Sequence, residues 1–169
     1  FQAGCEIYGD PGPFVDAELI DLVVRYLRAL GIQDIEVLVN SLGAGETRER
    51  YRDALLDYLR PHASELSEDS QNRLERNPLR VLDSKAPQDQ AIAENAPQIL
   101  EYLDEESAEH FEELKAALDA MGTPYVVEPR LVRGLDYYTR TLFEVRGRGG
   151  DLSAPRARVS PARRARARH

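Results

Sequence analysis

Residues 14–40, FVDAELIDLVVRYLRALGIQDIEVLVN, decide the fold. Val15, Leu19, Leu22, Val23, Tyr26, Leu27 and Leu30 recur at spacings of three and four, the stripe of an amphipathic helix over 14–30. Asp16 and Glu18 fall in its first turn, where the helix dipole favours acids. Gly31 supplies the stop, because glycine readily takes the conformation a helix C-terminus needs. Residues 34–40, DIEVLVN, then read as a strand. Helix and strand in direct succession give an α/β (α+β) class. The loop that follows, SLGAG at 41–45, has no Lys and is not a phosphate-binding P-loop.

Upstream, FQAGCEIY at 1–8 reads as another strand, closed by the turn-rich Gly9-Asp10-Pro11-Gly12. Side chains alternate along a strand, so Gln2, Gly4 and Glu6 share one face, and Phe1, Ala3, Cys5 and Ile7 share the buried one. Cys5 is expected to be a small buried apolar residue. Downstream, Thr47–Leu59 reads as a helix with Tyr51, Leu55 and Leu59 on one stripe and Pro61 at its end. From Ser64 to Met121 the chain is acidic and helical, with segments near 64–76, 87–103 and 105–121 separated by Pro78, Pro87 and Pro97. Phe111, Leu114 and Leu118 mark the apolar face of the last, and Gly122-Thr123-Pro124 breaks it. Tyr125–Glu128 and Thr141–Val145 are expected to be strands of an antiparallel sheet.

The 169 residues amount to one domain or two small ones. One Cys excludes an intrachain disulfide, and no apolar run reaches the ~20 residues that span a bilayer. The chain opens on Phe1 with no signal-peptide pattern, the expectation for a piece of a longer protein. The net charge of −8 divides unevenly: residues 146–169 hold eight Arg and one acid, net +7, and residues 1–145 are net −15. Such an acidic body repels a nucleic-acid backbone except at local basic patches. The last 24 residues have no aromatic and only Leu152 and Val159 as large aliphatics, too few to offset chain entropy. They read as a disordered tail, as translation in a shifted frame, or as a basic RNA-binding arm. His62 and His110 are expected at the surface, and no cluster has metal-ligand spacing.

Chemistry concentrates in LVRGLDYYTRTLFEV, residues 131–145. Arg133 precedes a glycine that permits a tight backbone excursion, and Asp136, Tyr137 and Tyr138 follow. A guanidinium beside phenols can clamp an anion while the hydroxyls fix a polar ligand. A hairpin with packed tyrosines and an ion-paired Arg accounts for the same residues. Gln2 and Glu6 could read a polar, partly cationic ligand from one strand face, or form a solvated face.

FQAGCEIYG, DAELI, NPLRVLDSK, YLDEES and above all Arg133-Gly134-Leu135-Asp136-Tyr137-Tyr138 together resemble the histidyl-tRNA synthetases, class II aminoacyl-tRNA synthetases, from residue 1 to about 145. The resemblance implies part of a class II antiparallel catalytic sheet with flanking helices. Residues 1–61 and 124–145 would be the catalytic pieces, 62–123 a helical insertion domain and 146–169 the tail. It implies a cytoplasmic, homodimeric ligase that uses ATP and Mg²⁺ to join histidine to tRNA(His), with no membrane partner. Gln2 would contact the α-amino end of histidine, Glu6 and Tyr138 the imidazole nitrogens, and Tyr137 would line the same pocket. Arg133, the catalytic candidate, would meet both the α-phosphate and the histidine carboxylate. The family's main ATP-binding motifs lie outside these residues, so this segment is expected to be inactive alone. The alternative is the synthetase-like, histidine-sensing regulatory subunit of ATP phosphoribosyltransferase. The intact Arg-Gly-Leu-Asp-Tyr-Tyr and the long insertion favour the ligase. A helical interaction module with a basic arm is a third reading.

Overall fold

The computed structural model describes residues 4–132 and 139–147, and the backbone of Ala157–Arg158. Helix α1 (Pro13–Ala29) leads into β1 (Ile35–Ser41). Pro13 opens α1, where its missing N–H costs nothing. Gly31 closes it at φ +85°, and the amide of Ile32 returns to the Leu27 carbonyl at 3.0 Å. Helix α2 (Glu46–Leu59) follows, then a 3₁₀ segment (Arg60–Glu65), α3 (Glu68–Arg73), α4 (Leu79–Leu82), α5 (Pro87–Ala93) and a second 3₁₀ segment (Ile99–Tyr102). The long α6 (Glu105–Met121) ends on the left-handed Gly122. Strands β2 (Val126–Val127), β3 (Thr141–Gly147) and β4 (Ala157–Arg158) complete a sheet of order β2-β1-β3-β4.

The sheet is mixed rather than antiparallel. β1 pairs antiparallel with β3, from Ile35 opposite Gly147 to Ser41 opposite Thr141, but parallel with β2. Parallel neighbours need a long crossover, and α2 through α6 supply it. The two sheet faces carry separate cores. Val37, Val39, Phe143 and Val145 meet Ala17, Ile20 and Val24 of α1 and Phe111, Leu114 and Leu118 of α6. Leu38 and Leu142 point the other way, into a cluster with Tyr51, Leu55 and Leu59 of α2 and Leu66, Leu74, Val81 and Ile99. Apolar packing therefore continues across both expected borders of the 62–123 block.

Polar knots fix the short helices, which are too short to hold themselves. Fully buried Asp89 accepts the Ser67 amide at 2.7 Å and the hydroxyls of Ser67, Ser70 and Ser84, each at 2.6 Å. Burial alone would raise its pKa, but these donors outweigh that and hold the carboxyl at about 2. Asp104 caps α6 through the Ser107 amide at 2.8 Å and accepts the Thr47 hydroxyl at 2.5 Å, so the starts of α2 and α6 are tied together.

Five further expectations need correction. Residues 4–8 form no strand and are exposed, because no described strand lies beside them to satisfy their backbone groups. Cys5 is exposed for the same reason. His110 is buried, at 6% exposure, in the groove between α6 and the start of α1, with Nε2 3.3 Å from the Pro11 carbonyl. The segments 64–76 and 87–103 are not continuous helices: extended backbone at Leu66 and Ser67, where Ser67 bonds to Asp89, interrupts the first, and Pro97 lies in the break between α5 and the second 3₁₀ segment. The tail was expected to begin at 146, but β3 runs to Gly147 and pairs with Ala157–Arg158. Residues 148–156 and 159–169 lie outside the described residues.

Replacing Asp89 by Ala strands three hydroxyls and an amide and should cost at least about 2 kcal/mol in urea unfolding. The wild-type carboxyl sits at about 2 when folded, below its ordinary 3.8. Its contribution is therefore complete above the unfolded value and fades as pH falls from about 4 towards 2. In Asp89→Ala that component of acid sensitivity should vanish; an unchanged acid limb would contradict the knot.

Candidate functional site

The site is organised by the carboxyl end of β1. β2 runs beside β1 in the same direction, and the Glu128 amide still donates to the Val39 carbonyl at 2.9 Å. There the parallel ladder ends and a side chain takes over. Asn40 is fully buried, and its Nδ2 donates to the Pro129 carbonyl at 3.0 Å and the Leu131 carbonyl at 2.9 Å. Leu131 and Val132 are thereby held in the cluster around α2. The Asn40 Oδ1 is buried with no hydrogen-bond partner among the described residues.

On the other side of β1, the antiparallel ladder with β3 extends one rung past Ser41–Thr141. The Leu42 amide donates to the Arg140 carbonyl at 2.7 Å, and the Arg140 amide to the Gly43 carbonyl at 2.8 Å. Arg140 is the one non-glycine residue at positive φ, +56°, among the described residues. That conformation costs an L-residue about 1 kcal/mol and persists where surrounding bonds over-determine it. Gly43, at φ +63°, is needed twice over: a Cβ there would also collide with the Thr47 side chain, lying 2.7 Å from its Cβ. Leu131 and Arg140, on either side of the motif, are thus both bonded to residues 40–43 at the carboxyl end of β1.

The passage between those anchors carries the motif. Arg133, Tyr137 and Tyr138 lie outside the described residues, as does Gln2. Glu6 is described: it is exposed on the extended 4–8 segment, where it accepts the Tyr8 hydroxyl, and that bond raises the Tyr8 pKa. The convergence of Arg133, the twin phenols and Glu6 therefore falls outside the described residues. Asn40, Gly43 and Arg140 are the site residues that sequence reasoning missed. A lone polar residue closing the apolar run EVLVN was the available signal for Asn40.

Next to the exit anchor lies an acidic cavity of about 340 Å³, lined by Asp10, Glu106, Glu109, His110, Glu113 and Arg140. The Arg140 guanidinium pairs with Glu106 in the first turn of α6. Beside the cavity, Asp16 of α1 lies 3.9 Å from His110 Nε2. Burial pushes the Asp16 carboxyl up, against the opposing pull of Thr141, His110 and Arg140. Among the described residues no group of three or more His, Cys, Asp or Glu could hold a metal ion. No described helix is long and apolar enough to cross a membrane.

Known proteins share this sequence and architecture. The family model described as histidyl-tRNA synthetase matches residues 1–153, eight residues beyond the expected limit. The histidine–tRNA ligase of Sorangium cellulosum is 56% identical over 154 residues, which cover 91% of this chain and 36% of that protein. The histidine–tRNA ligase of Limosilactobacillus fermentum is 55% identical over 144 residues, covering 85% and 33%. The chain thus spans about a third of the length of these curated relatives. The crystal structure of apo S. aureus histidyl-tRNA synthetase superposes with a TM-score of 0.62 at 37% identity, over 81% of this chain and 32% of that one. A Bacillus halodurans structure titled as an ATP phosphoribosyltransferase regulatory subunit/histidyl-tRNA synthetase gives a TM-score of 0.50 at 21% identity, over 85% and 42%, which shows the fold alone.

Replacing Asn40 by Ala removes both bonds to the entry strand, worth about 2 kcal/mol together. Amide hydrogen exchange at Leu131 and Val132 should accelerate about 30-fold, while Val24 and Leu114 in the opposite core change little. Equal acceleration everywhere would mean that Asn40 supports only the global fold.

Proposed function

The chain belongs to the histidyl-tRNA synthetase family, and from that premise we propose that it carries the histidine-reading part of a histidine–tRNA ligase. The observation that supports this most is the anchoring of the Arg133–Tyr138 passage at both ends on residues 40–43. A segment that holds a small ligand has to be pre-positioned, and the residues that flank this one are bonded to the centre of the sheet. The regulatory-subunit reading is less favoured, because the relatives above 50% identity are ligases and the likeness to the regulatory subunit is one of fold.

In the proposed reaction a histidine carboxylate oxygen attacks the α-phosphorus of ATP. The bond to the bridging oxygen of the β-phosphate breaks, and pyrophosphate leaves with that electron pair. A ribose hydroxyl at the tRNA(His) end then attacks the histidyl carbonyl, and AMP departs. The first step brings two anions together, so a fixed cation is the main tool. Arg133 is assigned that role: its planar, permanently charged fork can bridge the α-phosphate and the histidine carboxylate. Gln2 is assigned to the α-amino end, Glu6 and Tyr138 to the imidazole nitrogens, and Tyr137 to the pocket wall. A carboxylate reading an imidazole N–H discriminates well, since an apolar rival would leave it unpaired.

ATP is a substrate here, and Mg²⁺ would accompany it. We further propose residues 1–61 and 124–145 as catalytic pieces, 62–123 as the insertion, and a homodimeric ligase working in the cytoplasm. The 169 residues by themselves are proposed not to complete the reaction.

A chimera tests the assignment: this chain replaces the matching segment of the S. cellulosum ligase, and histidine-dependent ATP–pyrophosphate exchange is measured. The chimera should be active. Arg133→Ala should lower kcat/KM at least about 100-fold, and Glu6→Gln should raise KM for histidine more than it lowers kcat. A folded chimera indifferent to Arg133→Ala would refute the reading, and exchange by the isolated chain would refute its proposed incompleteness.

A further inference from the structure

The exit of the motif is held by more than the sheet. Arg140 follows the motif by two residues and takes a left-handed conformation, with its amide and carbonyl bound to Gly43 and Leu42. Its side chain is one-quarter exposed and reaches away from β1 to Glu106, whose own side chain is 78% exposed. Glu106 stands in the first turn of α6, and that turn is fixed by Asp104, which accepts the Ser107 amide and the Thr47 hydroxyl while its own amide donates to Thr47 Oγ1 at 3.0 Å. Thr47 in turn packs on Gly43. The contacts close a ring: Gly43, Thr47, Asp104, Glu106, Arg140 and back to Gly43.

An exposed ion pair contributes little to global stability. Its placement matters more, because the backbone of one partner is bonded to the end of β1 two residues after the motif. We propose that Arg140, clamped by Glu106, is a positioning residue that fixes the backbone at Thr139–Thr141, immediately after the motif, and so couples the start of α6 to histidine binding. The histidine part rests on the function proposed above; the clamp itself does not. Asp16 and His110 face the same region from α1 and α6, and Asp10, Glu109 and Glu113 line the cavity beside it. Glu106 alone among these is bonded to the guanidinium in the described contacts.

The test has two arms. In the full 169-residue chain, Glu106→Gln should speed amide exchange at Thr139–Thr141 about tenfold and leave Val37 and Leu114 unchanged. Glu106→Gln is exposed and will fold even if Arg140 variants do not. The swap Glu106→Arg with Arg140→Glu should restore slow exchange. In the chimera, Glu106→Gln should raise KM for histidine about fivefold at constant KM for ATP, a split that simple loss of folded protein does not produce. Unchanged exchange at Thr139–Thr141, or a swap that fails to restore it, overturns the clamp. Faster local exchange with KM for histidine unmoved, in a chimera that Arg133→Ala inactivates, overturns the coupling while leaving the ligase reading intact. A chimera indifferent to Arg133→Ala overturns the ligase reading and the coupling together.

Discussion

Two carbonyls and one carboxamide carry the architecture of the site. A parallel ladder needs a donor at each rung, and β2 is only two residues long. Where that ladder stops, Asn40 offers both hydrogens of its amide to Pro129 and Leu131 in place of a backbone N–H. Without them, two carbonyls beside the buried Leu131 would lose their partners, at about 1–3 kcal/mol each. The carboxamide is thus a piece of sheet made from a side chain. It lets the chain leave the ladder at Leu131, and the sequence of the motif lies between that residue and Arg140, which is bonded to the far side of β1.

The rest of the molecule makes that end of β1 rigid. β1 is central and is packed on both faces, by α1 and α6 on one and by α2 with the small helices on the other. Burial of this kind supplies most of the favourable free energy but little directional specificity. Direction comes from carboxylates with several neutral donors. Asp89 gathers Ser67 and Ser70 at the start of α3 and Ser84 from the turn after α4, and Asp104 joins α6 to α2. Both carboxyls are held at about 2 by their donors, so both remain charged, and their networks intact, at neutral pH.

The regular elements were legible because periodicity alone determines them. Residues 14–30, 34–40, 47–59 and 105–121 were expected as helix, strand, helix and helix, and the structure places them at 13–29, 35–41, 46–59 and 105–121. The failures share a cause, which is that pairing and burial depend on distant partners. FQAGCEIY alternates like a strand, but alternation creates no neighbour to pair with. His110 lies among Glu109, Glu112 and Glu113 in sequence, and only the approach of Pro11 and Asp16 buries it. The parallel sense of β2 depends on a crossover of more than eighty residues. At the site, the Arg-Gly-Leu-Asp-Tyr-Tyr string announced its family by resemblance. Asn40, Gly43 and Arg140 announced nothing, because an asparagine, a glycine and an arginine acquire their meaning from the strands they join.

In the proposed ligase the end of β1 acts on catalysis through the residues it holds on either side of the motif. A double-mutant cycle between Asn40 and Arg133, read as histidine-dependent pyrophosphate exchange by the chimeric ligase, measures that dependence directly. If Asn40 works by holding the loop that carries Arg133, Asn40→Ala costs activity in the wild-type background and little once Arg133 is already Ala. If the two losses multiply, the carboxamide and the guanidinium act independently, and Asn40 does not work through the motif.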